Sequence, residues 1–297
     1  SNEIVLEAPY NKVFKGHLTS ISADPSELIP SSDIVLLCLP GYLIEETLND
    51  ISPYLQPSTI VGAIVSSTGF FFMAHKILPE KSKLFGFQRV PFISRVKAYG
   101  HSASLLGYKE NLNVSMENID DRDSFVNELS KAFITPINVL NNYYEVSLTN
   151  SNPILHTGRL FTMWKDKNSH QPVPQCIKFY SDWNNEASEI LLEMDNEFGY
   201  LLEKVGVSRN VVPSLLEYYQ CSNATSLTNK IRSIPAFKSI DAPMIQTQDG
   251  WIPDFKSRYF TEDFPFGLRY IWELAKNNQI STPTIDKVYK WGISMIG

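Results

Sequence analysis

Three short apolar runs in the first third of the chain restrict its fold more than any other feature. They are DIVLLCL at 33–39, TIVGAIVSS at 59–67 and KLFGFQRV at 83–90. The first two are each followed by a stretch with apolar residues at helical spacing. Continuous apolar runs are typical of strands buried on both faces, and strands alternating with helices are typical of a parallel sheet. The sequence therefore predicts an α/β domain with a Rossmann-like parallel sheet.

The pattern changes near residue 142, after which helical periodicity dominates and strand signals nearly vanish. We predict an α/β plus all-α protein. A partial Rossmann-like domain occupies 1–140, and a helical domain occupies 141–297. The stretches with helical periodicity are 142–164, 182–205, 209–220, 223–234, 264–279 and 283–296.

A dinucleotide-binding domain of this kind usually begins with a strand and a G-x-G-x-x-G loop, which lets the backbone approach a pyrophosphate. The sequence has 14 glycines, but no two of them are spaced as G-x-G. Residues 3–33 instead indicate a β-ribbon and a capped helical turn. Two explanations stay open. We favour the one in which the first βαβ segment precedes this sequence; in the other, the protein never had that segment.

Composition narrows the function. The net charge of −6 argues against nucleic-acid binding, and no run of ~20 apolar residues predicts a membrane span. Three widely spaced cysteines favour a reducing cytoplasm over a disulfide framework. No histidine spacing suggests a metal site, and this holds for His17, His75, His101 and His170.

Several segments resemble the octopine/opine dehydrogenase family. The helical domain of that family is matched by LLEYYQ (215–220), KSIDAP (238–243), DGWIPDFKSRYFTEDFPFGL (249–268) and PTIDKVYKWGISMIG (283–297). SNPILHTGRLFTMW (151–164) resembles the helix that carries the catalytic histidine of the family. DIVLLCLPGYLIEE (33–46) resembles the second half of its nucleotide-binding domain. In the family, a segment with a G-x-G-type loop precedes the position of Glu3, which favours the first explanation above.

The resemblance implies an oxidoreductase that uses NAD or NADP. An α-keto acid, usually pyruvate, would condense with an amino acid, and a hydride would reduce the imine to an opine. The reaction would take place in a cleft between a Rossmann-like domain and a helical substrate domain. Two alternatives stay open: a two-domain hydroxy-acid dehydrogenase, and a cofactor-free binding or scaffold protein on a decayed dehydrogenase fold. We expect small-molecule substrates, no nucleic acid, no membrane, and a homodimer as an option.

The resemblance assigns catalysis to His156 and Asp263. Imidazole titrates near neutral pH, so His156 could donate and accept protons. The family tends to have His-Pro here, whereas this chain has His156-Thr157. Asp263 matches the aspartate that pairs with the histidine and would fix its tautomer. Alternatively, Asp263 only caps the helix that Phe264-Pro265 begins.

The resemblance also suggests residues that bind the substrate, but each of them has an alternative role. Arg258 matches the arginine that holds the keto-acid carboxylate, because guanidinium offers two parallel donors. Its alternative is a surface pair with Glu262. Asn152 lies one helical turn before His156 and could bind cofactor or substrate, or cap its helix.

The first domain contributes further candidates through the resemblance. Thr68, Arg89 and Ser94 match the positions of the pocket for the amino-acid substrate. Arg89 replaces an expected small hydroxyl residue, which predicts an amine partner with an extra acidic group; alternatively, Arg89 faces solvent. Pro40 and Gly41 follow a strand at the edge where ligands bind in open α/β sheets, and could contact the cofactor through their backbone. A plain strand-ending turn is the alternative.

Overall fold

The structure is a computed structural model, which describes residues 2–166 and 171–296. It divides into two compact units, Ser1–Ser147 and Leu148–Gly297, whereas the sequence placed the boundary between 140 and 141. Segment 141–147 belongs to the first unit because its buried Glu145 is bonded there. The Glu145 carboxylate accepts a hydrogen bond from the backbone N–H of Asn141 (2.8 Å), and its carbonyl accepts one from Gln88 Nε2 (3.1 Å).

The first unit alternates strands and helices. In chain order its elements are β1 Glu3–Ala8, β2 Lys12–His17, α1 Pro25–Leu28, β3 Ile34–Leu37, α2 Gly41–Ile51, β4 Ile60–Ala63, α3 Phe70–Ile77, β5 Lys83–Phe87, β6 Phe92–Ala98, β7 Ser102–Tyr108, β8 Leu112–Glu117, α4 Arg122–Phe133, β9 Ile137–Val139 and α5 Tyr144–Ser147.

A five-stranded sheet with the order β3-β4-β5-β8-β9 forms the core of this unit. The three apolar runs became β3, β4 and β5, which pair in parallel, as predicted. Gly62 in β4 lies against Phe85 of β5, and a Cβ there would be 2.1 Å from the Phe85 ring. Only glycine therefore fits that point of the sheet without moving a buried ring.

A second sheet of the first unit has the order β2-β1-β7-β6. Its β1–β2 hairpin is the β-ribbon predicted for the start of the chain. The predicted helical turn is α1, which Asp24 caps by accepting a hydrogen bond from the N–H of Ser26 at 2.9 Å. Its strands pair antiparallel except for β1 and β7, so the succession of parallel strands typical of a Rossmann-like sheet resides in β3–β5.

The second unit is mainly helical. Its elements are α6 Asn152–Trp164, α7 Asn185–Lys204, α8 Leu215–Tyr219, α9 Ala224–Ser233, β10 Met244–Thr247, β11 Gly250–Pro253, α10 Arg258–Thr261, a π-helical turn Phe264–Leu268, α11 Arg269–Asn277 and α12 Pro283–Ile296.

One departure from the all-helical prediction is the hairpin β10–β11. Its turn is tightened by Gly250, whose φ of 131° is a left-handed conformation that glycine adopts readily. Among residues 2–166 and 171–296, no helix has both the length and the apolar character that crossing a membrane requires.

Close packing around α6 determines the geometry of the second unit. A Cβ at Gly267 of the π-helical turn would meet Pro153 Cγ of α6 at 2.9 Å, and one at Gly292 of α12 would meet the Phe264 ring at 1.9 Å. The π-helical turn is therefore held directly between α6 and α12, with Phe264 fully buried. This contact brings the start of the turn to the face of α6 that carries His156.

Candidate active site

His156 and Asp263 form a hydrogen-bonded pair, although 107 residues separate them in sequence. His156 Nδ1 lies 2.8 Å from Asp263 Oδ2. The His156 side chain is 12% exposed and that of Asp263 is 20% exposed, so the pair is largely shielded from water without being sealed off. Low exposure strengthens the electrostatic interaction between them.

The beginning of α6 orients the imidazole. Pro153 stands in the first turn, where its missing N–H costs no helical hydrogen bond. Thr157, which replaces the expected proline, is fully buried, and its hydroxyl donates to the Pro153 carbonyl. The departure from the family pattern therefore leaves the helix intact, and His156 stays on the face towards the π-helical turn.

The π-helical turn leaves the Asp263 carboxylate available. Leu268 N donates to the Asp263 carbonyl at 2.7 Å, a bond over five residues that defines a π-helix. The Asp263 side chain makes no capping hydrogen bond to this turn. The alternative role as a helix cap is thus not the one that the carboxylate adopts, because it is directed to His156.

Tyr180 completes the site, and the sequence did not single it out. Its hydroxyl lies 2.9 Å from His156 Nε2, so both ring nitrogens of the histidine have partners. Burial, reinforced by the neighbouring Tyr259, Tyr219 and Asp263, raises the pKa of Tyr180 well above its usual value. The hydroxyl therefore stays protonated at neutral pH. No motif marks Tyr180, since an aromatic residue in this segment is equally typical of a core.

The segment that carries Tyr180 is anchored by Arg159 from α6. Arg159 Nε donates to the Phe179 carbonyl at 3.1 Å, and Nη2 donates to the Asp182 carbonyl at 2.7 Å. Its guanidinium also lies over the Trp183 ring, 5.4 Å from the centroid. Burial lowers the pKa of Arg159 to about 10, which still leaves it charged at neutral pH. One helix thus fixes both the imidazole and the tyrosine that contacts it.

These contacts define the protonation pattern of the neutral imidazole. An ionised carboxylate only accepts hydrogen bonds, so Asp263 selects the tautomer with its proton on Nδ1. Nε2 then carries the lone pair and accepts the Tyr180 hydroxyl proton. If Nε2 takes up a proton, the carboxylate stabilises the resulting imidazolium. The arrangement can therefore perform general acid–base chemistry at Nε2.

Arg258 and Asn152 also lie in the second unit. The Arg258 side chain is 80% exposed and holds Glu262 in a bidentate pair, with both N···O distances at 2.7 Å. This is the surface pair that the sequence left as the alternative, and the role in carboxylate binding stays a prediction. Asn152 is half-buried and begins α6, and its backbone N–H donates to Asn150 Oδ1 at 3.2 Å.

The remaining predicted residues lie in the first unit. Arg89 lies exposed between β5 and β6, and Ser94 lies exposed within β6. Thr68 ends the 3₁₀ turn Ser66–Thr68, and its side chain lies outside the described part of the structure. Of the histidines considered as metal ligands, His170 lies outside the described residues. Within 2–166 and 171–296, no group of three or more His, Cys, Asp or Glu could hold a metal ion.

In the first unit, the feature relevant to an anionic cofactor is the start of α2. Pro40 and Gly41 lead from the carboxyl end of β3 into α2, whose N-terminus has no side-chain cap. Free N–H groups at a helix N-terminus attract anions such as phosphate. The sequence offers no G-x-G-x-x-G loop that could cradle a whole pyrophosphate. A backbone contact of Pro40 and Gly41 with the cofactor stays a prediction.

Known proteins resemble this chain along nearly its whole length. Residues 139–296 match the family model described as NAD/NADP octopine/nopaline dehydrogenase, alpha-helical domain. An opine dehydrogenase from Haliotis discus hannai is 28% identical, over 96% of this chain and 74% of that protein. A tauropine dehydrogenase from Arabella iricolor is 26% identical, over 93% of this chain and 74% of that protein.

Solved structures show the same fold. An octopine dehydrogenase with NADH and pyruvate matches with a TM-score of 0.83 at 22% identity, and with NADH and L-arginine with a TM-score of 0.84 at 24% identity. Both matches cover 100% of this chain and 78% of the solved chain. The predicted fold class, α/β plus all-α, is confirmed.

The family match spans more than half of the chain and is the one predicted from the sequence. It also confirms the predicted class of enzyme, an NAD(P)-dependent opine dehydrogenase-like oxidoreductase. The chain belongs to the NAD/NADP octopine/nopaline dehydrogenase family.

Proposed function

We propose that this protein condenses an α-keto acid, pyruvate, with an amino acid and reduces the product to an opine. The observation that carries the proposal is the contact between His156 and Asp263, because the two residues to which the resemblance assigns acid–base chemistry lie within hydrogen-bonding distance, 2.8 Å. NADH or NADPH, when bound, supplies the hydride. Residues of this chain transfer the protons and bind the substrates.

His156 is the proposed general acid and base. The amine attacks the keto carbon and gives a carbinolamine, which must lose its hydroxyl as water to form the imine. Expelling that oxygen requires a proton, which His156 supplies from its Nε2 side. Asp263 holds the opposite nitrogen at 2.8 Å and stabilises the charge on the imidazolium.

Arg258 is the proposed ligand of the keto-acid carboxylate. Its guanidinium makes a bidentate pair with the carboxylate of Glu262, and this supports its assignment to a substrate carboxylate. The substrate would replace Glu262 at these two donors. Because the Arg258 side chain is exposed, the exchange requires no opening of the core.

The other residues keep the roles that the resemblance implied. We assign Pro40 and Gly41 to backbone contacts with the cofactor, and Asn152 to cofactor or substrate. We assign the pocket for the amino acid to Thr68, Arg89 and Ser94. A cation at Arg89 favours an amine substrate that carries an additional acidic group.

The test is a panel assay. NADH and NADPH oxidation is followed with pyruvate alone and with pyruvate plus individual amino acids, including acidic, basic and neutral ones. We expect a rate only when an amine is present, and a mass-spectrometric product equal to the reduced adduct. A rate with pyruvate alone would identify a hydroxy-acid dehydrogenase instead.

The alternative of a cofactor-free binding or scaffold protein is tested by the cofactor itself. Saturable binding of NADH or NADPH in a fluorescence titration of the full-length protein supports the enzyme, and no binding supports the scaffold.

We also propose a cytoplasmic location, because Cys38, Cys176 and Cys221 are all free thiols, as expected in a reducing compartment. Homodimer formation is part of the proposal and is checked by light scattering of the purified protein.

A further inference from the structure

We propose that the Tyr180 hydroxyl carries the proton between His156 and the substrate, so that Asp263, His156 and Tyr180 form one proton-transfer chain. This rests on the proposed function, since it specifies how the acid of that reaction reaches the carbinolamine.

Both nitrogens of the imidazole are engaged in the structure. Nδ1 is 2.8 Å from the Asp263 carboxylate, and Nε2 is 2.9 Å from the Tyr180 hydroxyl. A ring nitrogen has a single in-plane direction for its lone pair or its proton, and Tyr180 occupies that direction at Nε2. A substrate atom can therefore exchange a proton with His156 through Tyr180, or only after displacing it.

Displacement is opposed by the packing of the tyrosine. Tyr180 is 6% exposed, and its ring stacks on Phe237 with centroids 4.2 Å apart and an interplanar angle of 18°. It also lies parallel to Trp183, at an interplanar angle of 6°. Arg159 holds the backbone on both sides of Tyr180 through the carbonyls of Phe179 and Asp182. Swinging the ring away would break this stack, whereas passing a proton leaves it in place.

The hydrogen-bond pattern supplies the direction of transfer. With neutral His156, the Tyr180 hydroxyl donates to Nε2. With imidazolium, Nε2–H donates to the Tyr180 oxygen, and the hydroxyl proton then needs another acceptor. Within residues 2–166 and 171–296, this hydroxyl is hydrogen-bonded to His156 alone. The proposal assigns that acceptor role to the carbinolamine oxygen of the substrate.

The step balances as follows. The carbinolamine C–O bond breaks, and its electron pair goes to the oxygen, which takes the Tyr180 proton and leaves as water. The nitrogen lone pair forms the C=N bond of the iminium. The Nε2 proton moves to the Tyr180 oxygen, so tyrosine ends as it began and His156 ends neutral. Asp263 remains a carboxylate throughout.

The experiment compares Tyr180→Phe with Tyr259→Phe in opine formation. The Tyr259 ring also packs on the His156 ring, with centroids 4.8 Å apart, but its hydroxyl bonds neither nitrogen. We expect Tyr180→Phe to lower kcat by ~10²-fold or more, with KM for pyruvate nearly unchanged, and Tyr259→Phe to retain kcat within about threefold. A kcat near that of the wild type in Tyr180→Phe would overturn the proposal.

A proton inventory distinguishes proton transfer through Tyr180 from a purely structural role of this residue. In mixtures of H₂O and D₂O, the wild type and Tyr259→Phe should show a curved dependence of rate on deuterium fraction, because two protons move together. Tyr180→Phe should show a linear one. Should Tyr180→Phe fail to fold, fluorinated tyrosines at position 180 keep the ring in place. A rate insensitive to their phenol acidity would then refute the relay.

A readout without turnover distinguishes failure of this inference from failure of the proposed function. In ¹⁵N NMR of the imidazole, Tyr180→Phe should shift the Nε2 resonance of His156 much more than Nδ1. An unchanged Nε2 resonance overturns the inference. A wild type that forms no opine with any amine, yet shows the Nε2 shift in the variant, refutes the proposed reaction while leaving the His156–Tyr180 contact established.

Discussion

Replacing Asp263 by asparagine removes the charge beside His156 while keeping the shape of the side chain. In the wild type, Nδ1 and Oδ2 are 2.8 Å apart and both side chains are mostly buried. For charge centres about 4 Å apart in an effective dielectric of about 20, the attraction between imidazolium and carboxylate is about 4 kcal/mol. Asparagine can accept the Nδ1 proton through its neutral carbonyl, which recovers about 1 kcal/mol as an ordinary hydrogen bond.

The remaining loss of about 3 kcal/mol corresponds to ~10²-fold in rate, since each 1.36 kcal/mol is a factor of ten. We therefore expect Asp263→Asn to lower kcat for opine formation by about that factor. The assay is steady-state oxidation of the nicotinamide at saturating pyruvate and amine, with thermal unfolding to verify the fold. Glu117→Gln is the matched control, because Glu117 pairs with His75 at 2.7 Å elsewhere in the chain. A kcat within about threefold of the wild type would refute the electrostatic argument.

Three further outcomes are expected. Arg258→Ala should raise KM for the keto acid by about 10- to 100-fold, the value of a charged hydrogen bond, with a smaller effect on kcat; an unchanged KM would identify a purely structural pair. Glu197→Ala should lower the free energy of unfolding by about 1–2 kcal/mol in urea titrations, because its carboxylate accepts the N–H groups of Thr284 and Ile285 at the start of α12. Burial raises the pKa of Asp195 above its usual value, so the folded state binds more protons than the unfolded state and stability falls as pH rises through that window. Asp195→Asn removes this penalty, and its Tm relative to the wild type should increase as the pH rises above about 4, the ordinary pKa of an aspartate; a constant difference would contradict the sign.

The three parallel strands β3, β4 and β5 were predictable because each is a run of consecutive apolar residues, which is typical of strands in a parallel sheet. The hairpin β10–β11 carries no such pattern, since its strands are short and only partly buried, so it was absorbed into a domain predicted as helical. An element can be predicted from sequence where its apolar pattern is strong. Where that pattern is weak, tertiary contacts determine the secondary structure.

The residues of the candidate site differ in the same way in how far the sequence predicts them. His156 and Asp263 were found through the family resemblance, because no local rule connects residues so far apart. Tyr180 has no motif, and its importance lies in the direction of one hydroxyl, which only the fold determines. The π-helical turn was likewise invisible, because its residues are compatible with an ordinary helix start.

The length of the π-helical turn determines the direction of the Asp263 side chain. Successive residues of an α-helix are rotated by about 100° around the axis, and a π-helical turn accommodates one residue more than an α-helical turn. Deleting a single residue between Phe264 and Leu268 would restore α-helical winding and rotate residue 263 away from α6 relative to α11. The direction of the Asp263 side chain therefore depends on the length of this five-residue turn. Deleting one codon within it would separate the Asp263 carboxylate from His156, although both residues would still be encoded.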